Sequence, residues 1–119
     1  MFEVTTECHF DAAHYLRNYE GKCARVHGHR WIVKATFRSQ TLIDYMVIDF
    51  TKIKAVLNKL IESQFDHYLI NDNPPFTVIN PTAEKISEYI FDVLSANLQG
   101  LYSVEVFESP TSSAKYWVE

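Results

Sequence analysis

The spacing of apolar residues changes twice along this chain, from the two-residue repeat of strands to the spacing of helices and back. This order predicts an α+β fold, β-β-α-α-β-β, in which two helices cover one face of a four-stranded antiparallel sheet. Two alternating segments come first, then two with helical spacing, then two short alternating ones: 2–10, 27–38, 50–61, 86–98, 102–108 and 114–118.

Residues at the predicted boundaries agree with this order. Asp49 and Thr82 are placed to cap the first turns of the two helices, and Gly100 follows the second helix. A length of 119 residues, 47% of them hydrophobic, suits a single domain over residues 1–119. The second sheet face and the sheet edges still need partners, which predicts an oligomer.

The composition indicates which class of partner the protein binds and in which cellular compartment it works. A net charge of -4 without any cluster of Lys or Arg argues against nucleic acid, so a small molecule is the expected partner. The N-terminus does not resemble a signal peptide and no apolar run is long enough for a membrane span. Cys8 and Cys23 form neither a disulfide framework nor a cysteine-rich zinc module, so we expect reduced thiols and a cytoplasmic protein.

The run 23–29, Cys-Ala-Arg-Val-His-Gly-His, contains a thiol and two potential metal ligands. On a strand, His27 and His29 point to the same face, and Gly28 is expected to leave room between them. The nearest upstream candidate for a third ligand is His14. Three neutral imidazoles with an open fourth position are typical of a catalytic zinc site rather than a structural one.

Six short motifs occur in order along the chain: Phe-Asp-Ala-Ala-His at 10–14, the run 23–29, Val-Ile-Asp-Phe at 47–50, Phe-Asp-His-Tyr-Leu at 65–69, Pro-Thr-Ala-Glu at 81–84 and Glu-Val-Phe-Glu at 105–108. Together they resemble the 6-pyruvoyltetrahydropterin synthase / 6-carboxytetrahydropterin synthase family. The compact length and the Cys-x3-His-Gly-His form are most similar to the bacterial 6-carboxytetrahydropterin synthase branch, which serves queuosine biosynthesis.

The resemblance implies the tunnelling fold (T-fold), in which three subunits join their sheets into a barrel and two trimers stack into a homohexamer. It places active sites at subunit interfaces, with one Zn²⁺ per subunit. It implies 7,8-dihydroneopterin triphosphate as the substrate. The product in this branch is 6-carboxy-5,6,7,8-tetrahydropterin, with release of acetaldehyde and triphosphate.

The resemblance also implies two sets of residues at the reacting end of the substrate. In the first set, imidazoles hold zinc, which orients and polarises the side-chain hydroxyls of the substrate. In the second set, a thiolate removes a proton, and an imidazole oriented by a carboxylate returns one. The zinc ligands are His14, His27 and His29, and the proton relay consists of Cys23, Asp66 and His67.

Three further residues are assigned to the substrate. Glu108 ends an apolar strand face, and its carboxylate can accept two hydrogen bonds from the ring N–H and the amine of a pterin. Thr82 and Glu84 contact the pterin of a neighbouring subunit in this interpretation. Local structure also explains them fully, as the cap and the first-turn acid of the second helix.

Other interpretations of the same residues stay open. Free cysteines are most often small buried hydrophobes, which is the interpretation preferred for Cys8. The 6-pyruvoyl branch of the family uses the same residues as the carboxy branch, and a non-catalytic zinc or pterin-binding module needs only some of them. A folate-precursor branch has glutamate where Cys23 stands, and a zinc hydrolase is disfavoured because no His-Glu-x-x-His motif is present.

Overall fold

The computed structural model describes residues 1–119 and confirms the predicted element order. The four strands form one antiparallel sheet in which each strand pairs with the next along the chain. The elements are β1 (Phe2–His14), β2 (His27–Ser39), α1 (Phe50–Gln64), α2 (Ala83–Asn97), β3 (Leu101–Ser109) and β4 (Ser112–Trp117).

Both helices lie on one face of the sheet, as predicted. The alternation of β2 determines which sheet face the helices cover. Its odd-numbered residues from Trp31 to Phe37 point to that face and are all fully buried. Even-numbered residues of β1 share the face, and the Phe10 ring stacks on Trp31 with ring centroids 6.0 Å apart. The helices contribute mainly aliphatic side chains to the same core: Ile53, Leu57, Leu60, Ile61, Ile86, Ile90 and Leu94.

The two predicted helix caps are confirmed. Asp49 Oδ1 accepts from the backbone N–H of Thr51 at 2.9 Å, and Thr82 Oγ1 accepts from the backbone N–H of Lys85 at 3.2 Å. Each cap satisfies an N–H group that the first helical turn leaves without a partner. Neither helix combines the length and the apolar character needed to cross a bilayer.

Strand β1 is four residues longer than its alternation predicted, ending at His14 instead of Phe10. The segment Asp11–Ala13 is short of large apolar side chains, so it lacks the pattern of a strand. It nevertheless pairs in register with β2, from Asp11 opposite Arg30 to His14 opposite His27. The extension therefore brings His14 directly across from His27.

Candidate metal centre and active site

Three imidazoles meet at one end of the helix-covered sheet face. His14 ends β1, and His27 and His29 begin β2, so strand pairing alone places them together. The ring centroid of His14 is 4.5 Å from that of His27 and 5.4 Å from that of His29. His14 is 2% exposed, and the edge of its ring packs on Trp31. The predicted histidine cluster is therefore present in one chain.

Backbone carbonyls orient two of these rings. The Nδ1 atom of His14 lies 2.8 Å from the carbonyl oxygen of Pro81, and Nδ1 of His27 lies 2.6 Å from that of Arg25. A carbonyl can only accept, so each Nδ1 carries the proton and each Nε2 presents a lone pair. Such partners of a ligating histidine fix both its tautomer and its ring orientation.

Glu108 completes the cluster from β3. Its Oε1 atom lies 3.1 Å from Nε2 of His14 and 3.4 Å from Nε2 of His29. One potential ligand atom from each of the four residues, His27 included, lies within 4.8 Å of the others. Glu108 therefore has two possible roles, as a metal ligand or as the predicted substrate anchor.

The charge state of the cluster suits a cation. Burial lowers the pKa of His14, and the proximity of His27 and His29 lowers it further, while the Pro81 carbonyl and Glu108 act in the opposite direction. Burial also lowers the pKa of His29, against the opposing effect of Glu108. Both rings are thus held neutral, the form that binds metal.

Two buried ring nitrogens of the cluster show whether a metal ion fits here. Nε2 of His14 and Nε2 of His29 are buried and form no hydrogen bond, although the Glu108 carboxylate is close to both. For His14, whose Nδ1 carries the proton, Nε2 is a bare lone pair facing a carboxylate oxygen, which is unfavourable unless a positive charge lies between them. Nitrogen and oxygen donors in this number are the ligands that zinc prefers, so these residues fit the predicted ion.

The expected role of Gly28 is wrong. A Cβ atom at Gly28 would meet nothing nearer than the carbonyl oxygen of Ala12 at 3.9 Å, an ordinary contact. The reason is the strand repeat itself, because residue 28 points to the sheet face opposite His27 and His29. Glycine there does not make room for the imidazoles.

Cys23 opens onto the histidine cluster. It lies in a short 3₁₀ turn, Lys22–Ala24, and its carbonyl accepts from the backbone N–H of Leu16 at 2.7 Å. A cavity of about 340 Å³ is lined by Cys23, Lys22, His27, His29 and Glu108. This volume lies within the range of small-molecule sites. The thiol thus shares one cavity with three of the potential metal ligands.

The other cysteine has a different environment. Cys8 packs against the hydrophobic core, as predicted. Burial raises the pKa of its thiol to about 12, with a smaller contribution from the charge of Glu7. A thiol in this environment stays protonated at neutral pH, so Cys8 is no base.

Asp66 and His67 form the pair that their adjacency in sequence could not establish. Nδ1 of His67 lies 3.1 Å from Oδ1 of Asp66, and the same oxygen accepts from the backbone N–H of Asp11 at 3.1 Å. The backbone N–H of His67 donates to the Asp11 carbonyl at 2.7 Å. His67 has φ of 64°, a conformation that is uncommon for residues other than glycine. Asp11 is in turn held by two hydrogen bonds from Arg30.

One chain does not bring the predicted relay together. His67 lines a cavity of about 570 Å³ with Asp11, Arg30 and Gly28, whereas Cys23 lines the smaller one described above. His29 lines both cavities, but no hydrogen bond or ion pair joins Cys23 to either Asp66 or His67.

The remaining predicted residues lie at the start of α2. Thr82 acts as the cap of this helix, and Glu84 is an exposed acid of its first turn. Neither side chain lines the cavity that contains the cysteine and the histidines. The helix start is nevertheless next to the metal cluster, because Pro81, which precedes Thr82, holds His14.

Sequence reasoning missed three contributors to this site. The carbonyls of Pro81 and Arg25 have no sequence signature, since every residue carries a carbonyl. Lys22 supplies the only cationic side chain of the cysteine cavity. The sequence indicates Lys22 only by its position directly before Cys23.

Comparisons with known proteins agree with the motifs. Residues 3–119 match the family model of 6-pyruvoyl tetrahydropterin synthase. The 6-carboxy-5,6,7,8-tetrahydropterin synthase of Synechocystis sp. is 41% identical over 98% of this chain and 94% of its own length. The protein of that name from Bacillus subtilis is 35% identical over 97% of this chain and 84% of its own.

The fold comparison gives the same result. The structure of Caenorhabditis elegans 6-pyruvoyl tetrahydropterin synthase superimposes with a TM-score of 0.86 at 28% identity. The match covers 100% of this chain and 98% of that one, which confirms the predicted tunnelling fold of the subunit. The chain therefore belongs to the 6-pyruvoyl tetrahydropterin synthase family and is an enzyme, a lyase that acts on pterins.

Proposed function

We propose that this enzyme converts 7,8-dihydroneopterin triphosphate and water to 6-carboxy-5,6,7,8-tetrahydropterin, acetaldehyde and triphosphate. It would act in the cytoplasm, on the route to queuosine and related deazapurines. The observation that carries the proposal is the convergence of ring nitrogens of His14, His27 and His29 next to the cavity of Cys23. The names of the Synechocystis and Bacillus relatives support the carboxy product.

The metal site in this proposal consists of His14, His27 and His29, which would hold one Zn²⁺ per subunit. When bound, zinc supplies Lewis-acid polarisation of the substrate's side-chain oxygens, which makes the adjacent C–H bonds more acidic. Glu108 is assigned to the substrate because a fourth protein ligand would close the position that a catalytic site keeps open. Its partly exposed carboxylate would accept the pterin N–H and amine.

Cys23 is the proposed base for the substrate's side chain. It is the only group of its cavity, apart from the potential metal ligands, that can take up a proton in its ionised form. Lys22, the residue before Cys23, lines the same cavity. In this proposal the thiolate of Cys23 removes a proton as a general base.

His67 is the proposed partner that returns the proton. The carboxylate of Asp66 lies 3.1 Å from Nδ1 of the imidazole and would orient it, and the backbone of Asp11 holds both residues. His67 is 79% exposed in the isolated chain, so its ring is accessible to a neighbouring molecule. We assign the relay to Cys23 of one subunit and to Asp66 and His67 of the next.

The assembly in this proposal is a homohexamer, a dimer of trimers, with each active site at a subunit interface. Two features of the isolated chain support it. The side chains of β1 and β2 on the sheet face opposite the helices are exposed or only partly buried. The cavity of Cys23 and that of His67 are separate in one chain. Thr82 and Glu84 would contact the pterin bound by the neighbouring subunit.

The second candidate is the 6-pyruvoyl product, which requires triphosphate elimination without cleavage of the side chain. The family model and the C. elegans structure carry that name, and both reactions would use the same residues. Purified zinc-loaded protein separates the two when supplied with 7,8-dihydroneopterin triphosphate. We expect one acetaldehyde for each substrate consumed. A pyruvoyl product that accumulates without acetaldehyde would support the second candidate instead.

A further inference from the structure

Two asparagines bind the chain just beyond His14 in the same unusual way. Asn71 Oδ1 accepts from the backbone N–H of Tyr15 at 3.0 Å, and Asn71 Nδ2 donates to the carbonyl of Tyr15 at 3.0 Å. Asn80 does the same to Arg17, at 2.8 Å and 3.0 Å. Each amide therefore satisfies both backbone groups of one residue, as a neighbouring strand would.

These four hydrogen bonds join two distant parts of the chain. They tie the segment 15–17, which directly follows β1, to the two ends of loop 71–80, which lies between the helices in the chain. The Arg17 side chain adds a bond of 2.8 Å to the Phe76 carbonyl inside the same loop. Asn71 is 4% exposed, so the loss of its partners would leave buried polar groups unsatisfied.

The paired segment lies next to two functional residues. Asn80 directly precedes Pro81, whose carbonyl accepts from Nδ1 of His14 at 2.8 Å. Leu16 lies between the two residues held by the asparagines, and its N–H donates to the carbonyl of Cys23 at 2.7 Å. The same short segment therefore touches the metal cluster on one side and the cysteine turn on the other.

We propose that Asn80, with Asn71, is a positioning residue of the metal centre. By fixing loop 71–80 to the end of β1, the two amides hold the Pro81 carbonyl against His14. That carbonyl keeps the proton on Nδ1 and leaves Nε2 free to bind metal. The inference rests on the proposed metal site.

The test measures zinc affinity by competition with a chelator at fixed pH. Asn80→Ala should bind Zn²⁺ about 10–100-fold more weakly than the wild-type protein, the usual effect of losing a partner that orients a ligand. Asn73→Ala is the matched control. Asn73 belongs to the same loop, but its Nδ2 donates to the Gln64 carbonyl at 2.9 Å, away from His14. Its loss should lower stability and leave zinc affinity unchanged.

A second variant covers the case in which Asn80→Ala does not fold. Asn80→Asp keeps the acceptor for the Arg17 N–H but replaces the donor by a charged oxygen that faces the Arg17 carbonyl, so it should also weaken zinc binding. In the metal-free protein, ¹⁵N NMR of the His14 ring should show a fixed Nδ1–H tautomer that either variant loosens. Unchanged zinc affinity and an unchanged tautomer in a folded Asn80 variant would overturn the inference. A wild-type protein that binds no zinc would overturn the proposed metal site itself.

Discussion

Replacement of Cys23 by Ala should lower the turnover rate about 100-fold to 10,000-fold, the range expected when a positioned acid or base is removed. The variant should keep its zinc. The thiol lines the cavity of His27, His29 and Glu108 but is not among the residues whose ligand atoms converge. Its removal should therefore abolish proton transfer without disturbing the metal. Steady-state turnover and zinc content of the same preparation measure the two effects together.

Cys8→Ala is the control for this variant. Cys8 packs against the core and remains protonated, so its replacement costs some packing but leaves the chemistry intact. Its turnover should match that of the wild type at a temperature where both are folded. A Cys23→Ala protein with full turnover would contradict the base assignment. A protein without turnover in wild type and variant alike would indicate the non-catalytic binding module.

Mixed oligomers of Cys23→Ala and His67→Ala subunits regain activity that neither variant has alone. If each active site takes its thiol from one subunit and its imidazole from the next, a random equal mixture contains both intact groups at about one quarter of its sites. The separation of the two residues into different cavities of one chain is the reason to expect this. Co-expression with two different affinity tags isolates the mixed assemblies for assay.

The matched control pairs Cys23→Ala with a subunit that carries both substitutions. No site in that mixture has an intact thiol, so its activity should stay at the level of the single variant. Mixed assemblies that contain both single variants and remain inactive would contradict the shared site. They would place the complete relay, if it exists, within one chain.

Strand alternation was enough to predict much of the site. The two-residue repeat from His27 onwards put His27 and His29 on the buried face, and the structure has them there. The position of His14 could not be obtained in this way, because the small residues before it carry no alternation. Only pairing with β2 shows that β1 continues to His14, and pairing is a property of two strands.

Other contacts depend on backbone conformation, which has no local signature. The approach of His67 to Asp66 requires φ of 64° at a residue that ordinarily avoids this region. The carbonyls of Pro81 and Arg25 orient two imidazoles through loops whose paths are set by tertiary packing. Family motifs named the side chains of the site, whereas the atoms that orient them became visible only in the fold.

The zinc dependence of acetaldehyde release is the most direct test of the central claim, that the cluster of His14, His27 and His29 is the metal centre of a pterin lyase. Protein stripped by a chelator and returned to metal-free buffer should consume no 7,8-dihydroneopterin triphosphate. One equivalent of Zn²⁺ per subunit should restore acetaldehyde formation in proportion to substrate consumed. Stripped protein that turns over substrate at the rate of the loaded enzyme would contradict the claim.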